Sequence, residues 1–200
     1  MVWLFTLLIF ISFIMGLLNA PSWIMFIVFI IFIAAVMYMT LYPALYEKNI
    51  DKIMNYLKKS KNEHNQFLFH LYCGNLAEAE KAVKTIKNEQ LQHFANMALL
   101  INQNKLTEAK KYLPKLMDNE FKSYYCAMLA LKDNDLTTFE ENLANIKDPL
   151  HRSYLDIEKL MHSGKKQEAF AMLEEQIRKL RGLKLLSAVQ YKKEMEQKVA

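Results

Sequence analysis

A 30-residue period runs through residues 60–180 and restricts this part of the chain to a repeat architecture. Residues 76–83 read LAEAEKAV, and residues 106–113 read LTEAKKYL. The same step aligns three sets of positions that are small or apolar except at Gln176. The sets are Ala79, Ala109, Phe139 and Ala169; Val83, Leu113, Leu143 and Leu173; and Ile86, Leu116, Ile146 and Gln176. Self-similarity at such a period is typical of stacked units that bury a continuous core between neighbours.

Each copy is predicted to hold two amphipathic helices joined by a tight turn. The turn positions are Gly74, Asn104, Asn134 and Gly164. Glycine and asparagine tolerate the left-handed backbone that closes a helix. In the second copy the helices are expected over 91–103 and 106–117. Pro114 lies inside the latter and is expected to kink it or end it early, because proline lacks the amide hydrogen that a helix interior needs.

The first 46 residues differ in composition from the rest of the chain. They contain no Asp, Glu, Lys or Arg, whereas all 26 basic and 21 acidic residues follow from Glu47 onward. Two apolar runs, 2–18 and 23–42, flank the turn-forming sequence NAPS. As helices they would extend roughly 26 and 30 Å, close to a bilayer core of about 30 Å. The composition predicts a transmembrane helical hairpin over residues 1–46.

The orientation of this hairpin follows from the charges around it. A secretory signal peptide would carry basic residues before its apolar run, and none precedes Trp3. One span with a re-entrant or cleaved first segment is the alternative to two spans. Five lysines follow the second run: Lys48, Lys52, Lys58, Lys59 and Lys61. Because basic flanks stay in the cytoplasm, we expect a two-span protein of the cell membrane with both termini cytoplasmic.

The repeat carries a motif that links it to a known class of helical proteins. A Gly-x-Leu-x-x-Ala core, formed in the first copy by Gly74, Leu76 and Ala79, is followed by apolar Val83 four residues on. This pattern resembles the tetratricopeptide repeat, over about residues 60–180. The period of 30 instead of 34 residues departs from that family, as does the lack of its aromatic and Leu-Gly signature in the first helix.

The resemblance and the composition together predict an all-α chain of two domains. The first is the hairpin over 1–46, and the second is a cytoplasmic α-solenoid of about four helix pairs over 47–200. The pairs are expected at about 60–89, 90–119, 120–149 and 150–179. A helix over 46–59, able to continue from the second span, and a helix over 181–198 are expected to cap the array, since a solenoid needs end units with a polar face.

In tetratricopeptide-like arrays the first helices line a concave face, and the resemblance assigns a candidate protein-binding groove here. Its residues would be His64, Leu68, Tyr72, Phe94, Asn102, Tyr124, Met128, Lys132, His151, Tyr154 and Glu158. The set mixes aromatic with polar side chains, as protein-binding hot spots do. The alternative is that these residues only pack together, because a four-copy array is short enough to close on itself.

No catalytic or metal-binding motif accompanies the repeat. The sequence lacks a glycine-rich phosphate loop, GxSxG and HExxH, and its five histidines show no ligand spacing. We therefore expect no enzymatic activity, no cofactor and no metal site. Cys73 and Cys126 are expected to be buried, reduced thiols.

The C-terminal segment, 178–198, carries seven basic residues against Glu194 and Glu196. We expect a solvated helix here, with contact between its basic residues and anionic lipid as the alternative. Its basic residues are not interleaved with aromatic ones, so nucleic acid is not an expected partner.

These features predict a membrane-anchored cytoplasmic adaptor that binds an unidentified protein through its helical-repeat surface. High Lys, Asn and Ile usage is typical of a bacterium with low genomic GC content, so the expected setting is a bacterial envelope, division or secretion assembly. The rival hypothesis is a small accessory subunit of an integral membrane complex. In that case Gly16, Ala34 and Ala35 would allow close packing between transmembrane helices. An enzyme is a further rival, for which the sequence offers no candidate site.

Overall fold

The computed structural model describes residues 2–18 and 21–199. Within these residues the chain is all-α, as predicted, and contains no β-strand. The helices are α1 Val2–Leu17, α2 Ser22–Leu45, α3 Ile50–Lys59, α4 Glu63–Tyr72, α5 Leu76–Thr85, α6 Glu89–Asn102, α7 Leu106–Lys110, α8 Glu120–Lys132, α9 Leu136–Ala144, α10 Pro149–His162, α11 Lys166–Lys179 and α12 Gly182–Val199. A short 3₁₀ turn, Leu113–Lys115, follows α7.

The uncharged N-terminal block forms the helices α1 and α2. Helix α2 has 24 residues, none of them buried, and is the one described helix that is long and apolar enough to cross a membrane. Helix α1 occupies the first apolar run but has 16 residues, which extend only about 24 Å. The structure thus supplies one candidate span where the sequence predicts two. Asn19 and Ala20 of the predicted turn lie outside the described residues.

A turn separates α2 from α3, so the helix expected over 46–59 does not continue the second span. The Glu47 carboxylate accepts hydrogen bonds from the amides of Lys48 at 2.9 Å and Asn49 at 3.0 Å. The Asn49 side chain in turn accepts from the amide of Lys52 at 3.1 Å and caps α3. These polar bonds fix a break where the apolar sequence gives way to the charged one.

The four helix pairs of the repeat pack as neighbours: α4 with α5, α6 with α7, α8 with α9, and α10 with α11. The fourth residue of each second helix is small or apolar and fully buried; these residues are Ala79, Ala109, Phe139 and Ala169. The predicted turn residues adopt the left-handed conformation, with φ values of 73° at Gly74, 58° at Asn104, 61° at Asn134 and 76° at Gly164. The sequence register therefore matches the helix pairs and the core between them.

The second copy departs from the others at the predicted position. Helix α7 has only five residues, and Pro114 lies in the 3₁₀ turn that follows it. Gln90 of α6 stabilises this segment, because its side chain accepts from the amide of Met117 at 2.9 Å and donates to the carbonyl of Lys115 at 3.2 Å. The early end of the helix is thus compensated by side-chain bonds from the neighbouring helix.

We call helices α3–α12 the helical body. Its last helix, α12, packs against its beginning. Helix α12 contacts α11, α3 and the end of α2. Leu185 and Leu186 of α12 form a buried cluster with Ile53 and Leu57 of α3. The helix predicted as a terminal cap therefore joins the two ends of the helical body.

Gly182 forms the joint between α12 and α2. Its amide donates to the carbonyl of Glu47 at 2.7 Å, and its φ is 57°. A Cβ at this position would overlap the carbonyl of Ala44 and would lie 2.8 Å from the carbonyl carbon of Leu45. Only glycine combines this backbone conformation with this close approach.

Candidate functional site

Helix α12 lies along the first helices of the repeat, on the side where the sequence predicts a groove. The Tyr72 hydroxyl of α4 lies 2.5 Å from the Ser187 hydroxyl. Other contacts to α12 come from α6 and α10. The Asn102 side chain donates to the Glu194 carboxylate at 3.2 Å, and the rings of Tyr154 and Tyr191 meet edge to face at 5.8 Å.

Spacings of four and three residues place Ser187, Tyr191 and Glu194 on one face of α12. That face contacts three of the four first helices, from α4 to α10. Helix α12 therefore contacts predicted groove residues from three of the four copies.

Five of the remaining predicted groove residues fall into two groups. Met128, Lys132 and Glu158 line a cavity of about 560 Å³ beside Tyr191 of α12. His64 and Leu68 lie apart from this cavity: His64 packs near the Phe67 ring at 6.1 Å, and Leu68 packs against the core between the first two copies.

A row of aromatic rings connects the second, third and fourth copies. The ring of Phe121 lies 5.8 Å from that of Phe94 and 5.1 Å from that of His151. His151 lies 5.2 Å from Tyr124. We call these four residues, Phe94, Phe121, Tyr124 and His151, the aromatic ladder. The structure thus brings together three predicted groove residues from three copies.

The sequence prediction missed Phe121, Tyr125 and the residues of α12. Phe121 precedes Tyr124 by three residues, and a helix places such residues on the same face. That spacing is a signal that identifies Phe121 from sequence. The contacts of Ser187 and Tyr191 have no such local signal, because their partners lie in distant copies.

Burial keeps the tyrosines beside α12 protonated. Desolvation raises the pKa of Tyr125 to about 12 and raises the pKa of Tyr124 and Tyr154 further. Desolvation also raises the pKa of Tyr191, and the nearby Glu158 carboxylate adds to the effect. Because phenols with raised pKa values remain neutral, these side chains act as uncharged groups, not as charged or basic ones.

Exposed apolar side chains lie at one end of the aromatic ladder. Phe121 is 49% exposed, Met117 61% and Leu91 40%. Leu91 lies one helical turn before Phe94, and Met117 is bonded through its amide to the adjacent Gln90. We call Leu91, Met117 and Phe121 the apolar patch; it continues the aromatic ladder to the protein surface. Exposed apolar residues grouped in this way are typical of protein-binding surfaces.

Potential metal ligands and the two cysteines are considered together, because both could add chemistry to the repeat. Within residues 2–18 and 21–199, no three His, Cys, Asp or Glu side chains are grouped as metal ligands. Both cysteines are free. Cys126 is half-buried, and burial raises the pKa of its thiol. Cys73 is exposed, so the prediction that both thiols are buried is wrong for this residue.

No family model matches the chain, and no curated protein or solved structure shows significant similarity to it.

Proposed function

We propose that the protein is a membrane-anchored adaptor that holds a protein partner beside the bilayer through its helical-repeat body. The observation that carries the proposal is the difference in burial between α2 and α12, the two helices that meet at Gly182. Helix α2 buries none of its residues and exposes apolar side chains over most of its circumference, whereas α12 closes the core of the body. Each exposed Å² of apolar surface costs about 25 cal/mol in water, so a helix such as α2 is stable where lipid covers it.

The proposed topology has two spans, α1 and α2, with both termini in the cytoplasm. Helix α1 is short for a bilayer core of about 30 Å, but local thinning accommodates a short span at modest cost. Tyr38, Tyr42 and Tyr46 stack at ring distances of 5.6 to 6.3 Å near the end of α2. Tyrosines at this position favour the headgroup level. The lysine-rich segment that follows favours the cytoplasmic side.

The proposed body is a tetratricopeptide-like solenoid whose groove is largely occupied by α12. A partner would then contact the apolar patch and the outer edge of the aromatic ladder. Tethering confines the body to the membrane surface, which raises the local concentration of a bound partner there without new contacts. The setting that we propose is a bacterial envelope, division or secretion assembly.

A pair of matched variants of the full chain tests the adaptor role. We would place a photocrosslinking amino acid at Lys122, beside the patch, and compare Phe121→Ser with Leu136→Ser. Leu136 is 54% exposed at the start of α9 and serves as the control. The proposal expects a defined crosslinked protein that disappears with Phe121→Ser and persists with Leu136→Ser. Loss with both variants, or with neither, would count against the patch as the binding surface.

The second candidate function is that of an accessory subunit that associates through its spans. It is favoured by the exposure of the small residues Gly16, Ala34 and Ala35. No atom lies within 4 Å of a Cβ added at Gly16, so a larger side chain fits within the monomer. If Gly16→Leu with Ala34→Leu disperses a membrane complex while Phe121→Ser leaves it intact, this function replaces the adaptor role.

A further inference from the structure

Two basic segments that are far apart in the sequence meet at the end of α2. Residues 47–61 contain five lysines and two acidic residues, and residues 178–184 contain four basic residues and no acidic one. The hydrogen bond from Gly182 to Glu47 and the close approach of Gly182 to Ala44 join these segments. Arg181, the residue before Gly182, is thereby held beside the base of α2.

Helix α3 presents two lysines to the same region. Lys52 and Lys59 are seven residues apart, which places them two turns apart on one helix face. Together with Tyr56 and Ser60 they line a shallow surface depression against Pro43, in the last turn of α2. The tyrosine stack of α2, which favours the headgroup level, lies next to this depression in the sequence.

The acidic residues of the region are partly occupied by other bonds. The Glu47 side chain is 14% exposed and accepts from two backbone amides, and Lys52 lies 3.6 Å from it. Asp51 lies in the first turn of α3, where the helix dipole favours a negative charge. Lys48, Lys59 and Arg181 are exposed and form no ion pair within the described part of the chain. The local charge is therefore positive and accessible.

In the second half of α12, a basic residue is paired with acidic side chains. Lys192 pairs with Glu174 at 2.7 Å and with Glu196 at 3.9 Å. The charge of Lys192 is thus partly neutralised, whereas Arg181 at the start of α12 is exposed and has no ion pair among the described residues.

We propose that Lys48, Lys52, Lys59 and Arg181 form a basic collar that binds the headgroup phosphates of anionic phospholipids in the leaflet that α2 enters. The inference rests on the proposed membrane anchoring. Lysine and arginine beside an anionic leaflet gain electrostatic attraction, and arginine also binds phosphate in a bidentate manner. Because the collar joins α3 and α12 to the base of α2, lipid binding there orients the helical body against the membrane.

The test uses the full chain in vesicles of phosphatidylcholine with a minority of phosphatidylglycerol. Resistance to alkaline carbonate extraction is measured first. The protein is then extracted in mild detergent, and the ratio of the two bound lipids is measured by mass spectrometry. The collar variant is Lys52→Glu, Lys59→Glu, Arg181→Glu. The control, Lys87→Glu, Lys105→Glu, Lys111→Glu, makes the same charge change at exposed lysines of the first two copies.

The proposal expects wild type and control to retain phosphatidylglycerol at several times its bulk share, and the collar variant to fall to the bulk ratio. Each collar charge contributes about a fivefold preference. If reversal perturbs folding, as judged by circular dichroism, the neutralising pair Lys59→Gln with Arg181→Gln should give a smaller loss in the same direction.

Four results would overturn the proposal. Equal enrichment in the collar variant and wild type would place lipid binding elsewhere. Displacement of the lipid by inorganic phosphate added at the same concentration would assign the collar to the free anion. Loss of the wild-type protein from the membrane in carbonate would refute the collar together with the anchor. In contrast, a carbonate-resistant protein without enrichment would refute the collar alone.

Discussion

Helices α2 and α12 are the longest two in the described part of the chain, with 24 and 18 residues, and they meet at Gly182. Both are rich in apolar residues, but they place them differently. Helix α2 buries none of its residues, whereas α12 buries Leu186, Ala188 and Met195 almost completely. The difference lies in the charges: α12 has polar and charged residues on its outer face, and α2 has no charged residue on any face.

Apolar content alone does not determine which surroundings a helix needs. An apolar stripe on an otherwise polar helix is covered by one neighbouring face of the protein. A helix that is apolar all round needs surroundings that are apolar all round. In this molecule, the helical body covers the stripe of α12, and a bilayer is the medium that we propose for α2.

The largest expected effect is the difference in stability loss between two truncated side chains, one in α12 and one in α2. We expect Leu186→Ala to lower the free energy of unfolding by about 2–5 kcal/mol, because it leaves a cavity in the core. Ile30→Ala in α2 should change it by less than about 0.5 kcal/mol, because Ile30 is 49% exposed and touches the surrounding detergent or lipid. Urea unfolding of the full chain in micelles, followed by circular dichroism, measures both. Similar costs would remove the distinction between the helices.

The second prediction concerns the joint at which the two helices meet. Gly182→Ala should cost about 2–3 kcal/mol, because the new Cβ overlaps the backbone of α2 in an already unfavourable left-handed conformation. Gly164→Ala is the matched control: its φ is also positive, at 76°, but no atom lies within 4 Å of the new Cβ. We expect about 1 kcal/mol for the control. Equal losses of stability in the thermal unfolding of the two variants would show that the backbones of α2 and α12 are not in close contact at Gly182.

A smaller effect is expected where α12 crosses the first copy. Tyr72→Phe removes the hydroxyl that bonds Ser187 and should cost about 1 kcal/mol. The Tyr56 hydroxyl makes no hydrogen bond within the described residues, so Tyr56→Phe should be close to neutral. Hydrogen exchange of the α12 amides should increase with Tyr72→Phe and stay unchanged with Tyr56→Phe. An unchanged exchange rate in both variants would contradict the hydrogen bond between Tyr72 and Ser187.

The smallest expected effect is a dependence on pH that belongs to the helical body, since α2 carries no carboxylate. Burial of Asp148 opposes its ionisation, but hydrogen bonds from the amides of Leu150 and His151 outweigh this and lower its pKa. A lowered folded-state pKa stabilises the protein above the unfolded value of about 3.9, and the stabilisation is lost as the pH falls through the folded value.

Asp148→Asn tests this dependence, because asparagine still caps α10 but does not titrate. Relative to the variant, wild type should be more stable near pH 6 by less than about 1 kcal/mol. The advantage should vanish as the pH falls below the ordinary aspartate range. A constant difference between the two proteins from pH 6 to pH 2 would contradict the assigned role of Asp148.

The features that the sequence predicts correctly are local ones. The 30-residue step identifies the turns at Gly74 and Asn104 and the buried residue Ala109, because helix period, turn chemistry and side-chain size act over a few residues. The same holds for the early end of α7 before Pro114, where a missing amide hydrogen decides the outcome.

The place of α12 could not be predicted, because its contacts depend on how the pairs stack. Tyr72 and Ser187 are 115 residues apart. An amphipathic pattern shows that α12 has a face to bury but not which helices cover it. The exposure of Cys73 was missed for a related reason, since the position of a residue at a helix end decides whether a neighbouring pair covers it.

The central claim, that α2 crosses a membrane and the body lies on one side, is tested most directly by cysteine labelling in intact cells. Cys73 is exposed on the body and is a natural probe. The second probe is Ser22→Cys at the start of α2, in a chain whose Cys73 is changed to serine. A membrane-impermeant maleimide should label the Ser22→Cys variant in intact cells and should label Cys73 only after lysis. Labelling of both sites in intact cells, or of neither until lysis, would contradict the proposed topology.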